Sequence, residues 1–301
     1  MEAAGPSPGL RSAVAAIHTW GEMIKFSHSI FALPFAILAS FLAMRPALPS
    51  WGQADYRNLD AGRPIAVEDA QPVEFRAMEF QFTVPRFTRE RRGHWHYGLE
   101  TEFKWGIFKD TQFGITTETV VARDASDTVF SSRDVQIHAL YNFNQETRRL
   151  PAIAIRPELV IGTGGLGSRH EHGSLKLIVS KTIHRNRLHF NGSYAVGPTE
   201  LPGRGGDLVS RFFYGAAYER TLPLKFLVLV ADVYARKPMD HSPTEVIFEF
   251  GTRVQLSPTW VLDAGVSTGQ LRPSVGPDVG FTFGLSRSFS FRSLFPRKER
   301  P

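Results

Sequence analysis

The sequence predicts an all-β chain: an antiparallel transmembrane β-barrel of about twelve strands, preceded by one N-terminal apolar helix. Three observations carry the prediction. Residues 74–291 alternate apolar and polar side chains with period 2, in about twelve runs parted by turn residues and uninterrupted by an amphipathic helix. The polar face of those runs mixes Gly, Ser and Thr with charges of both signs, a composition suited to a wet interior. Ahead of them, residues 26–44 form 19 consecutive positions without a formal charge.

Composition narrows the field. The 301 residues include no cysteine, which excludes a disulfide framework, a thiolate zinc site and a cysteine nucleophile. The 42% hydrophobic and 21% charged content excludes wholesale disorder, and the apolar share is too small for helices that cross a membrane along the whole length. The net charge of +6 is 35 basic residues less 29 acidic ones, and the bases are scattered, so no nucleic-acid partner is expected.

Residues 1–54 contain the helix. They hold three bases (Arg11, Lys25, Arg45) and two acids (Glu2, Glu22) around the run FSHSIFALPFAILASFLAM. That run is long enough to span a bilayer once or to form the core of a secretory signal, and membrane helices tolerate a kink such as Pro34 would cause. Met23 offers an alternative start, and Gly52 and Ala54 stand at −3 and −1 of a candidate cleavage site. Export with cleavage and retention as an anchor both fit. Residues 55–73 read as a linker, 74–291 as the barrel and 292–301 as a basic tail.

The strand runs follow in order. In 78–84, Met78, Phe80, Phe82 and Val84 share one face. In 95–105, Trp95, Tyr97, Leu99, Phe103 and Trp105 oppose Glu100, Glu102 and Lys104. Runs 112–121, 135–143 and 153–161 repeat the pattern, the last with Arg156 and Glu158 on its polar face. Runs 175–180 and 188–196 do the same, whereas 212–220 and 224–234 are strand-like but alternate less cleanly. In 246–256 the apolar set opposes Glu249 and Arg253, and in 260–267 it opposes Asp263. The last run, 279–291, sets Val279, Phe281, Phe283, Leu285, Phe289 and Phe291 against Gly, Thr and Ser, the aromatic pattern of a C-terminal outer-membrane assembly signal.

Alternation alone does not say which face is wet, but strand number does. About eight strands suffice to fill a barrel with side chains, and wider barrels enclose a lumen. Twelve strands therefore favour an apolar exterior against lipid and a polar interior. Glu100, Glu102, Lys104, Arg156, Glu158 and Arg253 are the residues expected to line it.

Other motifs yield to simpler readings. Gly162-x-Gly164-x-x-Gly167 matches a dinucleotide fingerprint as text, but a strand follows it rather than a helix. Gly265-Val266-Ser267-Thr268-Gly269 matches a nucleophile elbow, again without the helix it needs. The pairs His170/His172, beside Glu171, and His94/His96 read as polar loop positions. The bases Arg86, Arg89, Arg91 and Arg92 read as a solvated turn or a headgroup contact. No metal, cofactor or catalytic residue is assigned.

Two resemblances add to this reading. The segments YRNLDAGRPIAVEDAQPVEFRAMEFQ, WHYGLETEFKWGIFKDTQFGITTE, LSPTWVLDAGVSTG and GPDVGFTFGLSRSF resemble the outer-membrane transporter family named for the MetA pathway of phenol degradation, over residues 55–291. That likeness implies a non-enzymatic barrel in the bacterial outer membrane that passes small, often aromatic or hydrophobic, compounds. Its partners would be membrane lipid, the outer-membrane assembly machinery and the small-molecule cargo. The string IHTWGEMIKFSHSIFALPFAILASFLA, within residues 11–45, resembles the first transmembrane helix of UbiA-type polyprenyltransferases. That likeness implies, as the alternative, a prenyltransferase-related protein of the inner membrane. The aspartate-rich magnesium motifs of that family are missing, and the pair Asp124 and Asp127 has the wrong spacing, so no catalytic residue carries over. A fragment of one gene joined to most of another, by fusion or a misplaced start, would look like this.

Overall fold

A computed structural model of the chain describes residues 58–91, 94–123, 128–162, 170–198, 208–222, 226–238, 243–269 and 277–290. The N-terminal helix, Phe291 and the basic tail lie outside these residues. Twelve strands are present: β1 (Met78–Arg91), β2 (His94–Phe108), β3 (Thr111–Arg123), β4 (Thr128–Asn144), β5 (Ala152–Ile161) and β6 (His172–Ile183), then β7 (Asn186–Pro198), β8 (Leu208–Thr221), β9 (Leu227–Pro238), β10 (Glu245–Ser257), β11 (Trp260–Thr268) and β12 (Val279–Phe289). Each pairs antiparallel with the next in sequence, and β12 returns to β1 with Met78 opposite Phe289 and Arg89 opposite Val279. The sheet is a closed barrel without an edge, so its backbone groups are satisfied within the wall.

Several strands outrun their alternating cores. β4 continues back from Val135 through Ser132 and Ser131, which pair with Thr119 and Val120. Ladder hydrogen bonds need no particular side chain, so small polar residues extend a strand that the pattern leaves unmarked. In β1 the register against β12 shifts between Phe82 and Arg86, the stretch that holds Pro85, and the register against β2 shifts just before it, between Gln81 and Val84. A residue without an N–H is tolerated at such an irregularity.

The two ends differ. Five connections (residues 109–110, 145–151, 184–185, 222–226 and 258–259) join strands at the end where β1 begins and β12 finishes. The opposite end carries residues 92–93, 124–127, 162–171, 199–207, 239–244 and 269–278. The first is called the turn end and the second the loop end.

The faces sort as membrane-spanning barrels require. Ile115, Leu175, Leu177, Phe190 and Phe283 are among the large apolar side chains exposed on the outside. Aromatic pairs flank this band: Phe82 stacks on Trp260 at 5.6 Å and Tyr141 meets Phe143 at 5.1 Å towards the turn end. Towards the loop end, Phe87 meets Tyr97 at 5.5 Å and Tyr194 meets Phe212 at 5.1 Å. An apolar belt between two aromatic girdles is the exterior of a β-barrel in lipid.

The linker expectation for 55–73 needs correction. Residues 58–73 lie inside the barrel, where they touch inward side chains of strands on every side, and the exposed Glu74 and Phe75 lead from them to β1. Leu59, Arg63, Ile65, Val67, Asp69 and Ala70 are almost fully buried. The segment is polar enough to read as a spacer, but its charges have partners on the wall, and that is why it can be buried.

Candidate functional site

The site is the occupied lumen. The inner segment is a loop with its tip at residues 60–63, where Asp60 and Arg63 form an isolated antiparallel bridge around Gly62. Gly62 has φ of 82°, a left-handed value that its lack of a Cβ makes easy. Next to the tip, Pro64 enters a notch made by Gly251 and Gly265, directly opposite each other on β10 and β11. A Cβ at Gly251 would stand 2.6 Å from Pro64 Cγ, and one at Gly265 would stand 2.8 Å from Pro64 O.

From the tip towards β1 the wall reads the segment's main chain. Asp232 accepts the N–H groups of Ala66 (3.0 Å) and Val67 (2.9 Å). The Asn191 amide accepts from Glu68 N–H at 2.9 Å and donates to Glu68 C=O at 2.8 Å, as a strand neighbour would. Ser180 accepts from Ala70 N–H (3.0 Å), Asn142 donates to Ala70 C=O (2.6 Å) and Gln112 accepts from Val73 N–H (2.8 Å). Five wall side chains thus supply the partners that a buried non-strand backbone requires.

Three groups of ion pairs hold the same segment. At the tip, Lys104 pairs with Asp60 and lies 3.1 Å from Glu79, while Arg253 lies 2.6 Å from Asp263 and 3.9 Å from Asp60. Arg63 lies 3.3 Å from Glu100 and 3.6 Å from Glu102, and His138 is 3.3 Å from Glu102. In the second group Glu68 faces Arg156 (3.1 Å) and Lys176 (2.6 Å), and Arg156 also holds Glu158 at 3.1 Å. In the third, Arg187 bridges Asp69 (2.9 Å) and Glu219 (3.1 Å). Burial pushes the Glu68 carboxyl up, but Arg156 and Lys176 outweigh it and hold the group at about 2. For Asp69 burial wins over Arg187, and its carboxyl is raised.

All six residues singled out in the sequence face inward. Their surroundings differ from an open water-filled pore: Glu100, Glu102, Lys104, Arg156 and Arg253 each pair with a residue of the inner segment, and Glu158 pairs with Arg156. Sequence reading missed Asp232, in a run of unclear alternation, and Asn191, Ser180, Asn142 and Gln112, whose alternation was visible but whose ligand was not. It also missed two apolar patches on the inner face. Ala217, Val228 and Val230 pack with Leu59, Ile65 and Val67, and Leu140, Ala152, Ala154 and Ile178 pack with Ala70. The blurred alternation of 212–220 and 224–234 is the footprint of the first patch.

One arrangement resembles hydrolase chemistry. Ser180 Oγ is 2.8 Å from Nδ1 of His189, whose Nε2 is 3.4 Å from Glu219. All three side chains are buried, and Ser180 Oγ already accepts the Ala70 N–H. Through Ser180 the trio holds the main chain of the inner segment. Ser267, within the elbow-like text, lies inside strand β11 and not at a strand-to-helix turn.

Above the tip, towards the loop end, a cavity of about 240 Å³ remains. Its lining includes His96, Glu118, Tyr234, Arg236, Glu245 and Glu249.

The chain is therefore a membrane-spanning antiparallel β-barrel whose lumen holds a plug formed by residues 58–73. Neither a protein-family model nor a curated protein matches the sequence. Among solved structures it is similar to an outer membrane channel from Pseudomonas putida F1, at 10% identity and a TM-score of 0.51, over 81% of this chain and 100% of that one. It is also similar to the NanC porin, at 8% identity and 0.49, over 71% and 100%. Outer membrane phospholipase A from Escherichia coli follows at 12% identity and 0.42, over 77% and 95%. At these identities the likeness concerns the fold.

Proposed function

We propose that the protein is a channel of the bacterial outer membrane for small molecules, gated by residues 58–73, and that it is not an enzyme. The observation that carries this reading is the manner in which the plug is held. Beside the two apolar patches, side-chain hydrogen bonds and ion pairs hold every part of it from Asp60 to Val73, water can replace these polar contacts, and no strand pairing ties it to the wall, so the plug can leave its seat without disturbing the β ladder. The resemblance to the MetA-pathway transporter family, together with the likeness to an outer membrane channel, favours small aromatic or hydrophobic compounds as cargo. Lipid and the outer-membrane assembly machinery are the partners such a barrel requires. Glu100, Glu102, Lys104, Arg156, Glu158 and Arg253 then serve as plug receptors when it is closed and as lumen wall when it is open.

The test is conductance of the purified full-length chain in planar bilayers, after boiled and unboiled samples on an SDS gel have established barrel closure. Low conductance with brief openings is expected from the wild type. Long, large openings are expected when the plug contacts are weakened. A heat-modifiable barrel that never conducts, with or without those contacts, would overturn the channel reading.

A further inference from the structure

The geometry points to a second surface: the turn end is a basic face that binds the anionic phospholipid headgroups of the leaflet around it. This rests on the membrane reading above and adds which end of the barrel, which lipid class and which residues.

The first observation is charge asymmetry between the two ends. The five turn-end connections hold five bases (Lys109, Arg148, Arg149, Arg185, Lys225) and two acids (Asp110, Glu146). The six loop-end connections hold four bases (Arg92, Arg169, Arg204, Arg272) and seven acids.

The second observation is how the charges are used. Both turn-end acids are spent locally. Asp110 accepts from the Gln145 amide at 3.0 Å. Glu146 accepts from Thr182 N–H and Thr182 Oγ, each at 2.7 Å, and pairs with Lys181 at 3.2 Å. Lys181 in turn donates to the carbonyls of Thr147 and Arg148, which fixes the turn that presents two arginines. Lys109, Arg148, Arg149 and Arg185 are exposed, and none has an ion-pair partner among the described residues.

The third observation is the neighbourhood. Phe108, Phe143, Leu150 and Phe226 are exposed at the same end. Arg287 lies 5.1 Å over the Trp260 ring on the outer wall nearby. Apolar side chains at headgroup depth beside unpaired bases form a surface complementary to anionic phospholipid. Opposite charges would attract, the aromatic tips would sit among the acyl carbonyls, and the net negative loop end would be left to face away.

The experiment reconstitutes the full-length protein into nanodiscs of mixed phosphatidylcholine and phosphatidylglycerol and counts retained lipids by native mass spectrometry. The wild type should retain phosphatidylglycerol preferentially. The variant K109Q/R148Q/R149Q/R185Q should lose about tenfold or more of that preference. The loop-end control R92Q/R169Q/R204Q/R272Q should keep it. Added salt should abolish it in the wild type, a readout that needs no variant. Equal retention of both lipids by the wild type, or equal loss in the two variants, overturns the inference while the barrel stays inserted. Failure to insert at all overturns the membrane reading and this inference with it.

Discussion

Asp232 of β9 takes the N–H of Val67 at 2.9 Å, and the same oxygen takes the N–H of Ala66 at 3.0 Å. One wall carboxylate therefore satisfies two successive donors of a chain that has no strand partner. Replacing it with alanine leaves both donors buried and unpaired, at about 1–3 kcal/mol each. We expect Asp232→Ala to raise the open probability in bilayer recordings roughly tenfold or more. Unboiled mobility on an SDS gel should stay that of a closed barrel.

The Gly251–Gly265 notch makes a steric prediction. A valine at either position drives a methyl into Pro64, so Gly251→Val should displace the tip and mimic the loss of Asp232. A silent Gly251→Val would mean that the tip has room to shift sideways. Gly192 is the matched control, because a Cβ there meets nothing within 4 Å.

Glu68 gives the docked plug a pH dependence. Its carboxyl falls from an ordinary 4.5 to about 2 on docking, so the ionised form favours the docked state. That contribution is complete above pH 4.5 and is lost as pH falls towards about 2. Asp69 has the opposite sign: its raised carboxyl favours docking when protonated, and that help fades as pH rises. The difference in open probability between wild type and Glu68→Gln should be constant above pH 4.5 and shrink below it. A difference that stays flat down to pH 2 would remove Glu68 from the latch.

The Ser180–His189–Glu219 trio distinguishes gripping from catalysis. Ser180→Ala should raise conductance, since Ala70 N–H loses its acceptor, and the wild type should hydrolyse no ester substrate in detergent micelles. Hydrolysis that disappears in Ser180→Ala would make the lumen an active site.

Replacing Glu100, Glu102, Lys104, Arg156, Glu158 and Arg253 together with alanine should increase flux into liposomes and leave insertion intact. Unchanged flux would show that these side chains neither hold the plug nor line the path.

The barrel was legible because a sheet facing lipid on one side and a polar lumen on the other imposes a two-residue period on every strand. Phe248, Phe250 and Val254 against Glu249, Gly251 and Arg253 state it plainly. The plug was not legible, because its backbone bonds go to side chains and leave no period in residues 58–73. Its traces were indirect: apolar Val228 and Val230 where polar residues were due, and Gly251 and Gly265 at one height on adjacent strands. Each trace is interpretable only once Leu59 and Pro64 are known to lie against it.

The hairpin shape of the plug also sets its mechanics. Asp69 N–H bonds to Leu59 C=O at 3.0 Å, and Leu59 N–H bonds back to Asp69 at 3.3 Å. Tension on the chain ahead of Leu59 loads these two bonds first and the Asp60–Lys104 pair after them, so the contacts open in series like a zip. A push from the loop end instead bears on the tip and loads the contacts of Asp232, Asn191, Ser180, Asn142 and Gln112 together. Under the gating proposed above, the plug would yield to a pull on Leu59 one contact at a time and meet pressure on its tip with those five contacts at once.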